Sequence, residues 1–584
     1  MPSPPLRTSA LTDGRSDQTF RVAVVGAGWS GLACAEALSK PALAGGAVRG
    51  GRLAVTVIEA APQAGGRARG LSWLPEGWAD HEALPIDNGQ HLVIGAYSAT
   101  RDLLRRVGIP NEAWQQFPLH WAVPGPVGAS GPQPSPDRGL VPSLVNQHAH
   151  QSSHYESPGR LLIVPSDGGL KRLLRSALPQ ALPAGYAKWP LAWRFSLAKT
   201  LARGWFADWS AEGTAEAWWK QQSVPSDLLQ YFWKPVVEGA LNTPFSCASA
   251  RVALQVLKDS LLGPAHASDT LHPLLSLTAQ AVAPITQALG QRGVQMVYGC
   301  RLIGITTVPR NAADSSNALD SAIAADIAHP SRTNGAPGWR LEFHPTSQAR
   351  AADSGLTEAR FDAVVLALPA QVCRTLAFDL SGHRSSSGMG RHGDDRVGNE
   401  SGDKASGGVA IDGFNQEKTR WNAVRGLGVT TLYAALRPDQ AAQAGLSPEV
   451  LRPVGAGGVA MVLARPAGPH GQVIAAVASA TERQTEDQTH HLLRAAMGQV
   501  LSRRLGQDAL ANIPLRTTHD YQATWACTAD HVDGGSAWGP SALGPAGLYR
   551  AGDDLTPGYP ACIESAVRGG IQTAQAVIAQ ARIP

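Results

Sequence analysis

The stretch RVAVVGAGWSGLACAEAL, residues 21–38, constrains this chain more than any other. An apolar run, a glycine-rich turn and an alanine-rich segment follow without interruption, the order of strand, turn and helix. Gly26, Gly28 and Gly31 stand at the spacing of a dinucleotide-binding turn. There the first glycine permits a tight turn, the second lets the backbone approach a pyrophosphate, and the third lets helix and strand pack closely. The helix start then offers unpaired N–H groups and the positive end of its dipole to the phosphates. A loop, PALAGGAVRGG, leads to a second strand, LAVTVIEA, which completes a β-α-β unit. Glu59 ends that strand, where a carboxylate accepts hydrogen bonds from ribose hydroxyls and repels a 2′-phosphate. It lies further from Gly31 than the usual ~20 residues, and the loop at 41–51 takes up the excess. Each feature has a plainer counterpart, a glycine-rich turn and a solvated strand-end Glu.

At 584 residues the chain exceeds one compact core and calls for two or three lobes. Its 43% hydrophobic and 16% charged residues give a globular composition with apolar mass for a large core. A net charge of +4 without a long basic run argues against nucleic acid as a partner. The six cysteines (Cys34, Cys247, Cys300, Cys373, Cys527 and Cys562) form no C-x-x-C pair. Neither a metal site nor a disulfide framework is expected, and a reducing compartment fits. The first residues lack the apolar core of a secretory signal, and no apolar run reaches spanning length.

Residues 1–20 read as a disordered leader. Residues 124–158, 309–338 and 381–420 read as flexible insertions rich in small and polar residues. From Leu170 to about Leu262 the apolar spacing is helical, while GVQMVYGCRLIGI and RFDAVVLALPA read as strands. Trp (16) outnumbers Phe (10), with many of the tryptophans between Trp189 and Trp233. Within this lobe, WPLAWRFSLAKTLARGWFADW alternates Trp and Phe with Arg and Lys. It suits either an interfacial helix with aromatic rings at headgroup depth or a core or cavity-lining helix.

Further motifs extend the first. Gly65, Gly66 and Arg67, with Arg69 beyond, let the chain turn against a phosphate and neutralise it. The run EAAPQAGGRAR resembles the extended fingerprint of the flavin amine oxidase and phytoene desaturase superfamily, which implies FAD as cofactor. In that superfamily the segment matching IDNGQH runs past the isoalloxazine ring. Gln90 and His91 are thereby candidates to face the flavin, with His91 and Asp87 as candidate catalytic residues. The plainer readings are a core histidine and a turn-capping carboxylate. Near the other end, Gly552 and Asp553 match the superfamily's C-terminal flavin motif, in which Asp553 would bond the ribityl chain or a phosphate-bridging water. The following helix would point the backbone N–H groups of Cys562 and Ile563 at the flavin, its dipole favouring the anionic reduced form. The strand CRLIGI matches one that clamps adenine through its backbone, here at Leu302, which is otherwise an ordinary core residue.

More narrowly, FWKPVVEGALNTPFSCASARVALQVLKDSLLG and LYRAGDDLTPGYPACIESAVRGG resemble the hydroxysqualene dehydroxylase family, the squalene-associated FAD-dependent desaturases of hopanoid biosynthesis. The resemblance covers most of residues 21–580 and fails over the three insertions. It implies an α/β fold, with a Rossmann-like FAD-binding domain of the glutathione-reductase-like, two-dinucleotide-binding-motif kind and an inserted α+β substrate domain. Residues 21–100, 290–375 and 545–584 would form the first domain. Residues 101–289 and 425–544 would form the second, its helical part at 186–262. The implied reaction is reductive dehydroxylation of hydroxysqualene to squalene by hydride from reduced FAD. The implied site is cytoplasmic, at the inner face of the cell membrane. The aromatic, low-charge lobe suits an apolar tunnel for such a substrate, and Asp87, His91, Asp259 and Asp269 are candidates for the acid. A carotenoid-type desaturase, an amine oxidase and a non-catalytic isoprenoid carrier remain as alternatives.

Overall fold

The computed structural model describes residues 19–40, 53–123, 160–163, 191–206, 211–308, 338–345, 359–379, 424–454, 460–480, 486–533, 547–556 and 558–582. The three expected insertions lie outside these residues except for Gly338, which begins a strand. The expected leader lies outside them as far as residue 18, and Phe20 already belongs to the first strand.

Five parallel strands form the central sheet: Phe20–Val25, Leu53–Glu59, Gln295–Tyr298, Ala363–Leu366 and Leu548–Arg550. Counted within the sheet, their spatial order is 3-2-1-4-5, the dinucleotide-binding arrangement. Val22, Val24, Val55, Val57 and Val365 are buried, as expected of a parallel sheet covered on both faces. The order reverses between the first strand and Ala363–Leu366, so a crevice opens beyond their carboxyl ends.

The first helix, Trp29–Leu38, is buried along its whole length. Even Glu36 is inside, held by Arg106 and Arg292 at 2.8 and 3.1 Å. Burial alone would push its carboxyl up, but those guanidiniums hold it below its ordinary value. The C-terminal helix, Ile563–Arg582, lies against the first helix. A side chain at Gly570 would strike the Ser30 carbonyl oxygen at 2.1 Å, and one at Gly569 would strike that of Gly552 at 2.3 Å. The glycine pair in AVRGG therefore lets the two ends of the chain meet backbone to backbone.

A seven-stranded sheet forms the second body, with strand Leu515–Trp525 at its edge beside Gly426–Leu436. Helix Glu486–Leu505 covers it through Leu493, Met497 and Leu501. The helical lobe includes Leu191–Phe206, Ala215–Gln221, Lys234–Leu241 and Ala250–Leu257. Trp219 and Trp233 are fully buried there, with ring centroids 5.3 Å apart, and Phe245 lies 5.8 Å from Trp219. These rings fill the core of the lobe's described part.

Helix Leu191–Phe206 buries Trp193 and Leu197 and exposes Phe195 by 73%. The side chain of Trp205 lies outside the described residues. Among the described residues no helix is long and apolar enough to cross a membrane.

Candidate functional site

The crevice begins where the first strand ends. Gly26 turns the chain at φ +106°, and a side chain there would meet the Ala367 carbonyl oxygen at 2.4 Å. Only glycine combines that backbone angle with so close an approach. Gly31 packs against the Gly26 carbonyl, where a Cβ would sit at 1.9 Å. Gly28 differs, because a Cβ there would meet only the Gly66 Cα, at 3.9 Å. Its bareness is not required by the fold and leaves a cradle over the helix start.

Gly65 donates to the Ala27 carbonyl at 2.9 Å and pairs with Gly28 as a parallel bridge, so the GGR segment lies along the fingerprint turn. Trp29 fixes it further through its indole N–H to Ala68 O at 2.9 Å. The first helix has no side-chain cap and no acidic residue in its first turn. Ser30, at its second position, is 7% exposed, and its Oγ has no partner among the described residues. Uncapped amides, an orphaned hydroxyl and an open glycine together fit an anion such as a pyrophosphate.

Glu59 accepts from the N–H of Ala27 at 2.7 Å and from that of Ala61 at 2.8 Å, one bond to each carboxylate oxygen. Each oxygen keeps acceptor capacity for a ribose hydroxyl. Tyr298, paired in register with Glu59, is raised by burial first and then by the Glu59 charge. Leu302 is buried in the next sheet, opposite Phe343 and beside a bulge.

Several groups expected at the site have partners within the chain. Arg67 donates to Asp553 at 2.8 Å and to the Ala523 carbonyl at 2.9 Å. Two residues expected to hold the cofactor separately thus pair with each other and join the chain's two ends. Asp87 is 1% exposed, and both its oxygens are engaged, by Arg465 at 2.9 Å and by the Leu277 N–H at 3.1 Å. It anchors the IDNGQH loop. The Cys562 N–H donates to Ser565 Oγ at 3.0 Å. Ile563 N–H makes no hydrogen bond among the described residues. Asp269 is held by Gln116 and His266, both at 2.8 Å.

The C-terminal helix is aimed by Glu564, which is fully buried. It accepts from the N–H groups of Ala99 and Thr100 at 3.0 and 2.9 Å, capping helix Ser98–Arg106. Just before the helix, Tyr559 donates to Asp259 at 2.5 Å, and Gln255 holds the other oxygen of Asp259 at 2.9 Å. Burial, with the Asp259 bond and charge, raises the Tyr559 phenol well above its ordinary value. Sequence reasoning missed Ser30, Tyr298, Glu564 and Tyr559. For Ser30 a signal existed, since a hydroxyl in the first turn of the fingerprint helix stands where phosphate is expected.

The segment ALNTPFSCAS is a structural junction. Asn242 sits at φ +46°, donates to Thr524 Oγ1 at 2.8 Å and accepts from the Ala480 N–H at 2.7 Å. Thr243 Oγ1 accepts from the Cys527 N–H at 3.0 Å and donates to Leu241 O at 2.9 Å.

Residues 24–107 match the family model described as an NAD(P)-binding Rossmann-like domain. No curated protein matches the chain. Among solved structures, a single-substitution mutant of putrescine oxidase aligns with a TM-score of 0.56 at 16% identity, covering 96% of this chain and 100% of that one. Cyclohexylamine oxidase from Brevibacterium oxydans aligns at 0.51 and 14%, covering 96% and 99%. An oxidoreductase from Methanosarcina mazei aligns at 0.52 and 13%, covering 96% and 100%. The chain therefore has the α/β fold of these proteins, built on a Rossmann-like dinucleotide-binding domain.

Proposed function

We propose that the chain is an FAD-dependent oxidoreductase and that its reaction is the reductive dehydroxylation of hydroxysqualene to squalene. The observation that carries the cofactor is the open fingerprint turn, where Ser30 Oγ, the first-turn amides and the Gly28 cradle await an anion beside Glu59. The substrate rests on the resemblance of the FWKPVVEGALNTPFSCAS and LYRAGDDLTPGYPACIESAVRGG segments to the dehydroxylase family. Likeness of fold to amine oxidases carries no substrate at this level of identity.

Glu59 would hold the adenosine ribose, the first-turn amides with Ser30 the pyrophosphate, and the start of the C-terminal helix the flavin. Reduced FAD supplies the hydride that replaces the departing hydroxyl, which leaves with a proton as water. The chain must hold the allylic alcohol in place, exclude water and deliver that proton. Of the carboxylates considered, Asp259 bonds directly to the segment leading into the C-terminal helix, and we assign proton delivery to the Asp259–Tyr559 pair. The interfacial reading of residues 189–209, a route for an insoluble substrate from the inner face of the membrane, joins the proposal. Exposed Phe195 supports it.

Anaerobic incubation of the reduced protein with hydroxysqualene in D₂O, where the exchangeable N5 hydrogen of reduced flavin is deuterium, tests the reaction. Squalene with one deuterium is expected. Unlabelled squalene, or a product with an added double bond made by the oxidised protein, would favour a desaturase.

A further inference from the structure

The IDNGQH loop holds two polar atoms that are shut off from solvent and have no partner among the described residues, Gln90 Oε1 and His91 Nε2. The loop itself is gripped firmly. Tyr433 Oη donates to the Asp87 carbonyl at 3.0 Å, and Arg465 holds the Asp87 carboxylate. The N–H groups of Gly89 and Gln90 reach Thr518 and Thr431, at 3.3 and 3.4 Å, from paired positions on neighbouring strands.

One contact also identifies the orphaned atom of Gln90. The Gln90 amide nitrogen donates to the His91 carbonyl at 3.2 Å. A carbonyl can meet only the NH₂ end of an amide, so the free end is an oxygen, an acceptor. His91 Nε2 is buried and unpartnered among the described residues, and a neutral ring with its hydrogen on Nδ1 presents a bare lone pair there. Burial favours the neutral ring and lowers its pKa, outweighing the opposing charges of Asp87 and Asp520, with Arg67 acting in the same sense as burial.

We propose that Gln90 and His91 supply acceptors that receive N–H or O–H hydrogens of a bound ligand, and that His91 is a proton acceptor, not the acid the sequence suggested. A buried acceptor without a partner costs stability, so its persistence on a braced loop marks where a ligand's donor belongs. The inference deepens the flavin reading and rests on it for one of two donor sources. A flavin carries such a hydrogen on N3, and an alcohol substrate carries one on oxygen.

The test uses the full chain labelled with ¹⁵N-histidine, the His91 signal being assigned by its loss in His91→Gln. In the protein stripped of cofactor, Nε2 should be unprotonated at neutral pH. Its resonance should then move on adding FAD but not 3-methyl-FAD if the flavin is the donor. It should move only on adding hydroxysqualene to the reduced holoenzyme if the substrate is. His91→Leu should weaken binding of the responsible ligand about tenfold, and His91→Gln, which keeps an acceptor, should recover most of that loss. A protonated Nε2 in the cofactor-free protein, or a resonance unmoved by all three additions, would overturn the proposal. A colourless protein that takes up no FAD would instead refute the flavin reading, and the state of Nε2 in the cofactor-free chain would still decide this one.

Discussion

At the fingerprint turn the polar groups are left open, whereas at ALNTPFSCAS they are closed within the protein. Ser30 Oγ has no partner among the described residues, and the first helix has no cap. Asn242 and Thr243 instead join three parts of the chain through Thr524, Ala480 and Cys527. Both stretches stand out in the sequence, yet only the first has the chemistry of a binding site. A motif can be distinctive because it grips a ligand or because it fixes how two lobes dock, and satisfied hydrogen bonds tell the cases apart. The same contrast divides two histidines. His272 Nε2 bonds Thr270 at 3.1 Å, and His91 Nε2 bonds nothing among the described residues.

The closed side should respond in stability alone. Burial, with the nearby Arg465 charge, pushes His272 down to about 4. The unfolded chain, at about 6.5, takes up the proton first as pH falls. The stabilisation is therefore complete above about pH 6.5 and is lost progressively toward pH 4, on the order of 3 kcal/mol in all. Thermal unfolding across that range should show the loss, and His272→Gln should flatten it. An equally steep profile in the variant would remove His272 as the cause.

Asn242→Ala should cost about 2–4 kcal/mol of stability, since two side-chain bonds are lost at a left-handed backbone position. Retention of bound cofactor by the folded fraction should not change. A variant of full stability that loses cofactor would reverse the comparison.

The open side should respond in binding alone. Glu59→Ala should weaken FAD by roughly 1–3 kcal/mol, read by titrating the cofactor-free protein. Ser30→Ala should weaken it by about 1 kcal/mol with no loss of stability, because the hydroxyl it removes has no partner among the described residues. A drop in melting temperature for Ser30→Ala would show that the hydroxyl is structural.

The legible part of the fold was local. Val22–Val25, the three fingerprint glycines and Glu59 lie within 40 residues of one another, and strand, turn and helix follow from their spacing alone. The illegible part lies in partners far apart in sequence. Arg67 and Asp553 are 486 positions apart, and Asp87 and Arg465 are 378. Nothing near Arg67 says that a carboxylate will reach it before a phosphate does. At Cys562 the unread partner is nearer, since Ser565, three residues on, folds back to take its N–H. The tryptophans of the helical lobe showed an apolar interior. Whether rings fill or line it depends on packing, as Trp219 and Trp233 show by filling it.

The central claim is that the open turn beside Glu59 is an adenosine diphosphate cradle of a flavoenzyme. The direct measurement is the absorbance spectrum of the purified protein, followed by chromatography of whatever denaturation releases. The account predicts a yellow protein that yields FAD in near one-to-one amount, with that yield falling in Glu59→Ala. A colourless protein that takes up no added FAD, or one that releases FMN or a nicotinamide dinucleotide, would contradict it.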